Sequence, residues 1–165
     1  MTGIVRAARE RVVSEHGHTV DAIGECADAV ARSWDEDHVH ERCQVVDPLR
    51  QELETTGVVS DLPRVLVDAV DATGNALSAP PVPAPPYVVV TSRGPILRAS
   101  LPIGRLIIRF DVFSIRRRPS MVYRHKPYLE LVTTLVRADE RRRQNETHRV
   151  DGMSKDRAAA DGPNY

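Results

Sequence analysis

The sequence predicts an α+β fold in which an N-terminal layer of three to four helices packs on a C-terminal antiparallel meander of about five strands. Three observations carry that expectation. Up to residue 78 the apolar residues recur at steps of three and four, the period of an amphipathic helix. From Tyr87 to about Arg137 they alternate, or run in short blocks bounded by turn residues, as strands do. Between the two lies Ala79-Pro80-Pro81-Val82-Pro83-Ala84-Pro85-Pro86, which has too few backbone donors for either element. We therefore place one α+β domain at 1–137, made of a helical half (residues 1–78), a connector (79–86) and a sheet half (87–137). A flexible tail is expected at 138–165, where charge is dense and Gly152, Gly162 and Pro163 interrupt any run.

In the helical half, Val5, Ala8, Val12, His16, Val20, Ile23, Ala27, Val30 and Trp34 fall on one stripe. Gly17 and Gly24 interrupt it, each costing about 1 kcal/mol against Ala. The reading is either one long helix or a kink at His16-Gly17-His18 with Thr19 as a fresh N-cap. Trp34-Asp35-Glu36-Asp37 reads as the exit. Asp47-Pro48 reads as N-cap and first position of the next helix, with Gly57 as its C′ residue. Asp61 is expected to cap a further helix with Pro63 in its first turn, carrying Leu62, Val65, Leu66, Ala69 and Val70 and ended by Gly74-Asn75.

The connector is expected to be an extended, polyproline-type spacer. Tyr87–Ser92 is the first expected strand, and its unbroken apolar run suggests burial on both faces, hence a central or helix-covered position. Ile96–Leu101, Leu106–Arg116, Met121–His125 and Leu129–Val136 are the others. Around a four-residue turn, Pro102-Ile103-Gly104-Arg105, we pair Leu101 with Leu106. That sets Ala99 against Ile108 and Leu97 against Phe110 on the apolar face, and Arg98 directly opposite Arg109 on the wetter face. A shift of one residue would set Arg98 against Ile108 and bury charge, which selects this register. Asp111 then shares the wetter face with Arg109, and Glu130 is a second candidate counter-charge.

The formal charge is zero, but its distribution is not even. Residues 1–79 carry seven arginines and 15 carboxylates, a net of −8, and residues 80–165 carry a net of +8. The sheet half holds ten basic and two acidic residues. Such a split means either an internal electrostatic match or a basic surface for an anionic partner. Two cysteines make no disulfide framework, and reduced thiols are the default. The N-terminus, Met1-Thr2-Gly3-Ile4, leads into a charged amphipathic pattern rather than the apolar core of a signal peptide. No window nears the ~18 apolar residues of a membrane span. The expected setting is the cytoplasm, with no membrane partner and the oligomeric state open.

Cys26-Ala27-Asp28-Ala29-Val30, Asp47-Pro48-Leu49-Arg50, Leu62-Pro63-Arg64-Val65-Leu66 and, above all, Ala84–Pro95 with its Tyr87-Val88-Val89-Val90 core give the chain its most distinctive wording. In these segments it resembles a haloarchaeal protein family of unknown function, over roughly residues 20–137. The resemblance implies a cytoplasmic protein in high salt without an assigned activity. It brings no catalytic residues with it.

Three constellations bear on chemistry. His16, His18, Cys26, His38, His40 and Cys43 crowd into 28 residues, but their spacing fits no zinc pattern. His38, His40 and Cys43 are the weak metal candidates, and no cofactor is expected. Arg93, Arg98, Arg109, Arg116, Arg117 and Arg124 are the candidate binding residues, because guanidinium groups on a sheet face suit carboxylate and phosphate. Single-stranded nucleic acid would also need stacking aromatics there, and aromatics are only 4% of the chain, with Phe113 the one expected near that face. No Gly-x-Ser-x-Gly elbow or phosphate loop occurs. The expected function is a non-enzymatic interaction or accessory protein meeting an acidic protein partner. A nucleic-acid-binding module and a small hydrolase or metal-dependent enzyme are the alternatives.

Overall fold

A computed structural model describes residues 2–137. The tail expected at 138–165 lies outside them. Four helices precede most of the sheet: α1 Thr2–Glu15, α2 Gly17–Arg32, α3 Cys43–Thr55 and α4 Val58–Ala72. The strands are β1 His38–Val39, β2 Val88–Val90, β3 Pro95–Leu101, β4 Gly104–Arg116 and β5 Val122–Arg137. They form one antiparallel sheet in the order β1-β5-β4-β3-β2. The α+β class, the helical layer and the count of five strands agree with the sequence reading.

The long apolar stripe is two helices. The break falls at His16 (φ −123°, ψ 27°), and no side chain caps α2; Thr19, expected as the cap, is buried inside it. Both later helices begin earlier than expected, because Pro48 and Pro63 sit inside them rather than in their first turns. A proline there supplies no N–H to the carbonyl four residues back. For Pro48 that carbonyl belongs to Gln44, and the indole N–H of Trp34 donates to it at 3.2 Å. Trp34 thus offsets the missing donor and also packs on Phe113, ring centroids 5.6 Å apart. Gly57, at φ +79°, closes α3 as expected and leads directly into α4.

The sheet differs from expectation in its pairings. β1 is a short strand recruited from the helical half, His38 opposite Arg124. The two expected strands at 121–125 and 129–136 are one element, β5. β2 is an edge strand rather than a central one, and of the two expected settings it takes the helix-covered one, with Val88 and Val90 packed in the core under the helices. The connector is not uniformly extended, since the N–H groups of Tyr87 and Val88 both turn back to the carbonyl of Ala84. The β3–β4 turn holds two residues, Pro102 and Ile103, because Leu101 already pairs with Gly104. The register therefore slips by two from that expected. Ala99 faces Leu106, Leu97 faces Ile108, Arg98 faces Ile107, and Arg109 faces Ile96. A slip of two keeps every side chain on its expected face.

Leu97, Ala99, Leu101, Leu106, Ile108 and Phe110 form the apolar face, and the stripes of α1–α4 cover it in one buried cluster. Ile23, Val30, Leu49, Leu53, Leu62 and Leu66 are essentially inaccessible. Each such side chain contributes about 1.5–3 kcal/mol over leaving it exposed. Among the described residues, no helix covers the other sheet face.

One backbone contact locks the two hairpins together. The β4–β5 ladder has a bulge at Val112, between the pairs Asp111–Glu130 and Phe113–His125, where residues 126–129 of β5 stand against that single residue of β4. The N–H groups of Val112 and Phe113 both donate to the carbonyl of Arg93, at 2.7 and 3.0 Å. Arg93 belongs to the β2–β3 turn, whose next residue is Gly94 at φ +145°. A Cβ on Gly94 would lie 1.8 Å from the carbonyl oxygen of Phe110. We expect Gly94→Ala to cost about 4 kcal/mol or more, the range reached when a backbone position is filled sterically. Chemical denaturation would show it, and a loss under about 1 kcal/mol would contradict the packing described.

Candidate functional site

The helix-free face of the sheet has a readable plan. Along β4 its side chains are Arg105, Ile107, Arg109 and Asp111, alternating with the buried Leu106, Ile108 and Phe110. Opposite Ile107 lies Arg98 on β3, and opposite Arg105 lies Ser100. On the other side Val136, Thr134, Val132 and Glu130 of β5 face the same four β4 positions in turn. Arg98, Arg105 and Arg109 thus surround Ile107, since residues two apart on a strand share a face. Next to Arg98 comes Tyr87, whose carbonyl accepts the backbone N–H of Arg98 at 2.8 Å.

The three arginines are not equivalent. Arg109 donates from Nε to Asp111 Oδ1 at 2.7 Å, and the Asp111 carboxylate is nearly sealed from solvent. This is the neighbour contact that the strand alternation led us to expect, although Arg98 and Arg109 are diagonal rather than opposed. Arg98 and Arg105 have no carboxylate partner among the described residues. The Nε of Arg98 is buried and has no hydrogen-bond partner among them. A pocket of about 240 Å³ opens beside it, lined by Tyr87, Arg98, Ser100 and Arg105 and roofed by Leu77–Ala79 and Pro86. Its chemistry is that of an oxyanion site: two guanidinium groups, two serines and one aromatic wall.

The remaining arginines lie apart from it. Arg93 sits in the β2–β3 turn and acts through its carbonyl. Arg116 ends β4 and Arg117 follows it, both exposed. Arg124 bonds Asp37 at 3.0 Å. His125 contacts Asp28 at 3.0 Å, and with Arg124–Asp37 it ties β5 to the acidic helical half. Hydrogen bonding from His38, and then the charge of Arg124, hold the Asp37 carboxyl below its ordinary range. Glu130 is likewise held low, chiefly by Lys126 at 2.6 Å.

Phe113 is not near the arginine face. The bulge at Val112 reverses the alternation of β4 and turns Phe113 into the core, fully buried. Tyr87 takes the place expected for it. The sequence signal for Tyr87 is simple alternation: Val88 and Val90 are buried, so Tyr87 and Val89 point the other way. Among the weak metal candidates, His38 bonds Asp37, His40 reaches the carbonyl of Met121 at 3.0 Å, and Cys43 is exposed at the start of α3. They do not come together as a ligand set among the described residues. Cys26 is a core residue, its thiol pushed up by burial despite a 3.5 Å contact with Thr56.

Residues 6–137 match a family described as a domain of unknown function, DUF7988, and the chain belongs to it. The match spans the helices, the connector and the sheet, and reaches further towards the N-terminus than the resemblance in the sequence did. Nothing in that match indicates a haloarchaeal origin. No curated protein and no solved structure matches the chain. No described helix is long and apolar enough to cross a membrane.

The Arg109–Asp111 pair yields a stability prediction. Arg109→Ala leaves a buried carboxylate without its charged donor, at a cost of about 1–3 kcal/mol. The double variant with Asp111→Asn should lose less than the sum of the single changes. Urea melts of the four proteins measure both, and a single-variant loss below about 0.5 kcal/mol would contradict the pairing.

Proposed function

We propose that this DUF7988 protein is a non-enzymatic binding protein whose helix-free sheet face takes an acidic segment of a protein partner. A carboxylate sits between Arg98 and Arg105, against Ser100 and Tyr87. The observation that carries this reading is the buried, unpartnered Nε of Arg98 beside the pocket. A buried donor left unpaired costs about 1–3 kcal/mol, and more when charged, so an arriving acceptor recovers that loss. Size points the same way. About 240 Å³ is below the usual range for small-molecule sites but suits an Asp or Glu side chain. The acidic helices do not compete, because they pack on the opposite face.

Nucleic acid fits less well. A single-strand platform stacks successive bases on several aromatics, and this face offers Tyr87 alone beside its arginines. A cytoplasmic, haloarchaeal setting belongs to the proposal and rests on the resemblance of Ala84–Pro95 and the companion segments. Basic residues that are arginine in all but Lys126 and Lys155 fit it as well. At 1 M salt the Debye length is about 3 Å, so attraction there comes from desolvated hydrogen bonds rather than long-range steering.

Fluorescence anisotropy with a labelled glutamate-rich peptide tests the reading. We expect saturable binding that weakens at least tenfold in Arg98→Ala and in Arg105→Ala, and changes little in Arg117→Ala. A single-stranded oligonucleotide of equal charge should bind more weakly and lose affinity faster with salt. Equal peptide affinity in all variants, or tighter oligonucleotide binding through the same two arginines, would overturn the proposal.

A further inference from the structure

A second constellation lies across the molecule from the arginine face, at the joint of α1 and α2. The break at His16 sets Glu15 and His16 against α4, whose Asp61, Arg64 and Asp68 share one face at spacings of three and four. His16 is only 8% exposed. Its Nε2 lies 2.6 Å from Asp68 Oδ2. One ligand atom each of Glu15, His16 and Asp68 falls within 4.8 Å of the others. The trio opens onto a cleft of about 340 Å³ that Asp61, His18 and Arg64 also line. The His18 ring stands 6.5 Å from that of His16.

We propose that Glu15, His16 and Asp68 bind a divalent first-row transition ion, with His18 the nearest further donor and water completing the shell. One imidazole nitrogen and two carboxylate oxygens form a borderline-hard set, which favours Zn²⁺, Mn²⁺ or Co²⁺ over Ca²⁺ or a thiolate-seeking ion. Three protein ligands with an open position towards a cleft is also the pattern of zinc sites that keep an exchangeable water. A plain helix-to-helix clamp needs only His16 and Asp68. It leaves unexplained a second carboxylate converging on the same point, and Glu15 has only an exposed 3.5 Å contact with Arg11 to hold it elsewhere. Such an exposed pair is worth little and yields readily to a metal. The ligands come from the α1–α2 joint and from α4, so the ion would fasten these elements together.

The test uses the full chain, freed of metal by a chelator, at about pH 7.5, since metal ligands bind deprotonated. Zn²⁺ is titrated by calorimetry, and Co²⁺ is followed by its visible d–d bands. We expect one equivalent of either ion, a raised melting temperature with the metal, and at least a tenfold loss of affinity in both Asp68→Asn and Glu15→Gln. Glu15 is exposed, so Glu15→Gln keeps the fold, which circular dichroism checks. His38→Ala and His40→Ala should leave uptake unchanged. Absence of saturable uptake, uptake unaltered by Glu15→Gln and Asp68→Asn, or uptake lost with His38 or His40 would each overturn the assignment.

Discussion

The one-sided sheet is the constraint on which the rest of this structure depends. β3 and β4 alternate strictly enough that Leu97, Ala99, Leu101, Leu106, Ile108 and Phe110 can be buried only on one side. Each of the four helices has an apolar stripe and no second layer to bury it against, so all four converge on that side. The consequence for function is direct. Arg98, Arg105 and Arg109 alternate with the core residues, so they must emerge on the face the helices leave bare. The acidic half of the chain therefore cannot neutralise them by packing. Among the described residues its carboxylates pair with the basic half at β5, by Asp37–Arg124 and Asp28–His125.

The bulge at Val112 refines that plan. There residues 126–129 of β5 stand against Val112 alone, and the alternation of β4 ends at the point where Arg93 offers its carbonyl to two successive N–H groups. Phe113 turns inward against Trp34, and Asp111 is left beside Arg109 with Glu130 across the ladder. Arg109 is thus occupied by its neighbour, whereas Arg98 and Arg105, nearer the β3–β4 turn, have no carboxylate partner among the described residues. The proline-rich connector completes the pocket rather than merely spacing the two halves. It turns at Ala84, starts β2 and brings Pro86 and Tyr87 to the edge of Arg98.

Much of this was legible as period and parity. Steps of three and four gave the helices, and alternation placed the side chains of β3, and of β4 as far as Asp111, on their correct faces, but not Phe113. What was not legible was register, because a slip of two residues preserves every face and only the length of the Pro102-Ile103 turn decides it. Helix starts at Cys43 and Val58 were missed because Pro48 and Pro63 look like first-turn residues. The indole that makes Pro48 tolerable comes from Trp34, in a segment read as an exit. Tyr87 was readable but was masked by the apolar run Val88-Val89-Val90, which resembles a strand buried on both faces. The meeting of His16 with Asp68 spans 52 residues and leaves no local trace. Only the packing of α1 on α4 creates it.

We propose that the bare arginine face, rather than the acidic helices or the β1–β5 edge, is the surface that takes an acidic partner. Amide chemical shifts of the ¹⁵N-labelled chain during titration with a glutamate-rich peptide test that residue by residue. The account predicts that the perturbed amides cluster at Tyr87, Arg98, Ser100, Arg105 and Ile107. Perturbations confined to Asp37–His40 and Met121–Arg124, or spread along α2 to α4 with the sheet silent, would contradict it.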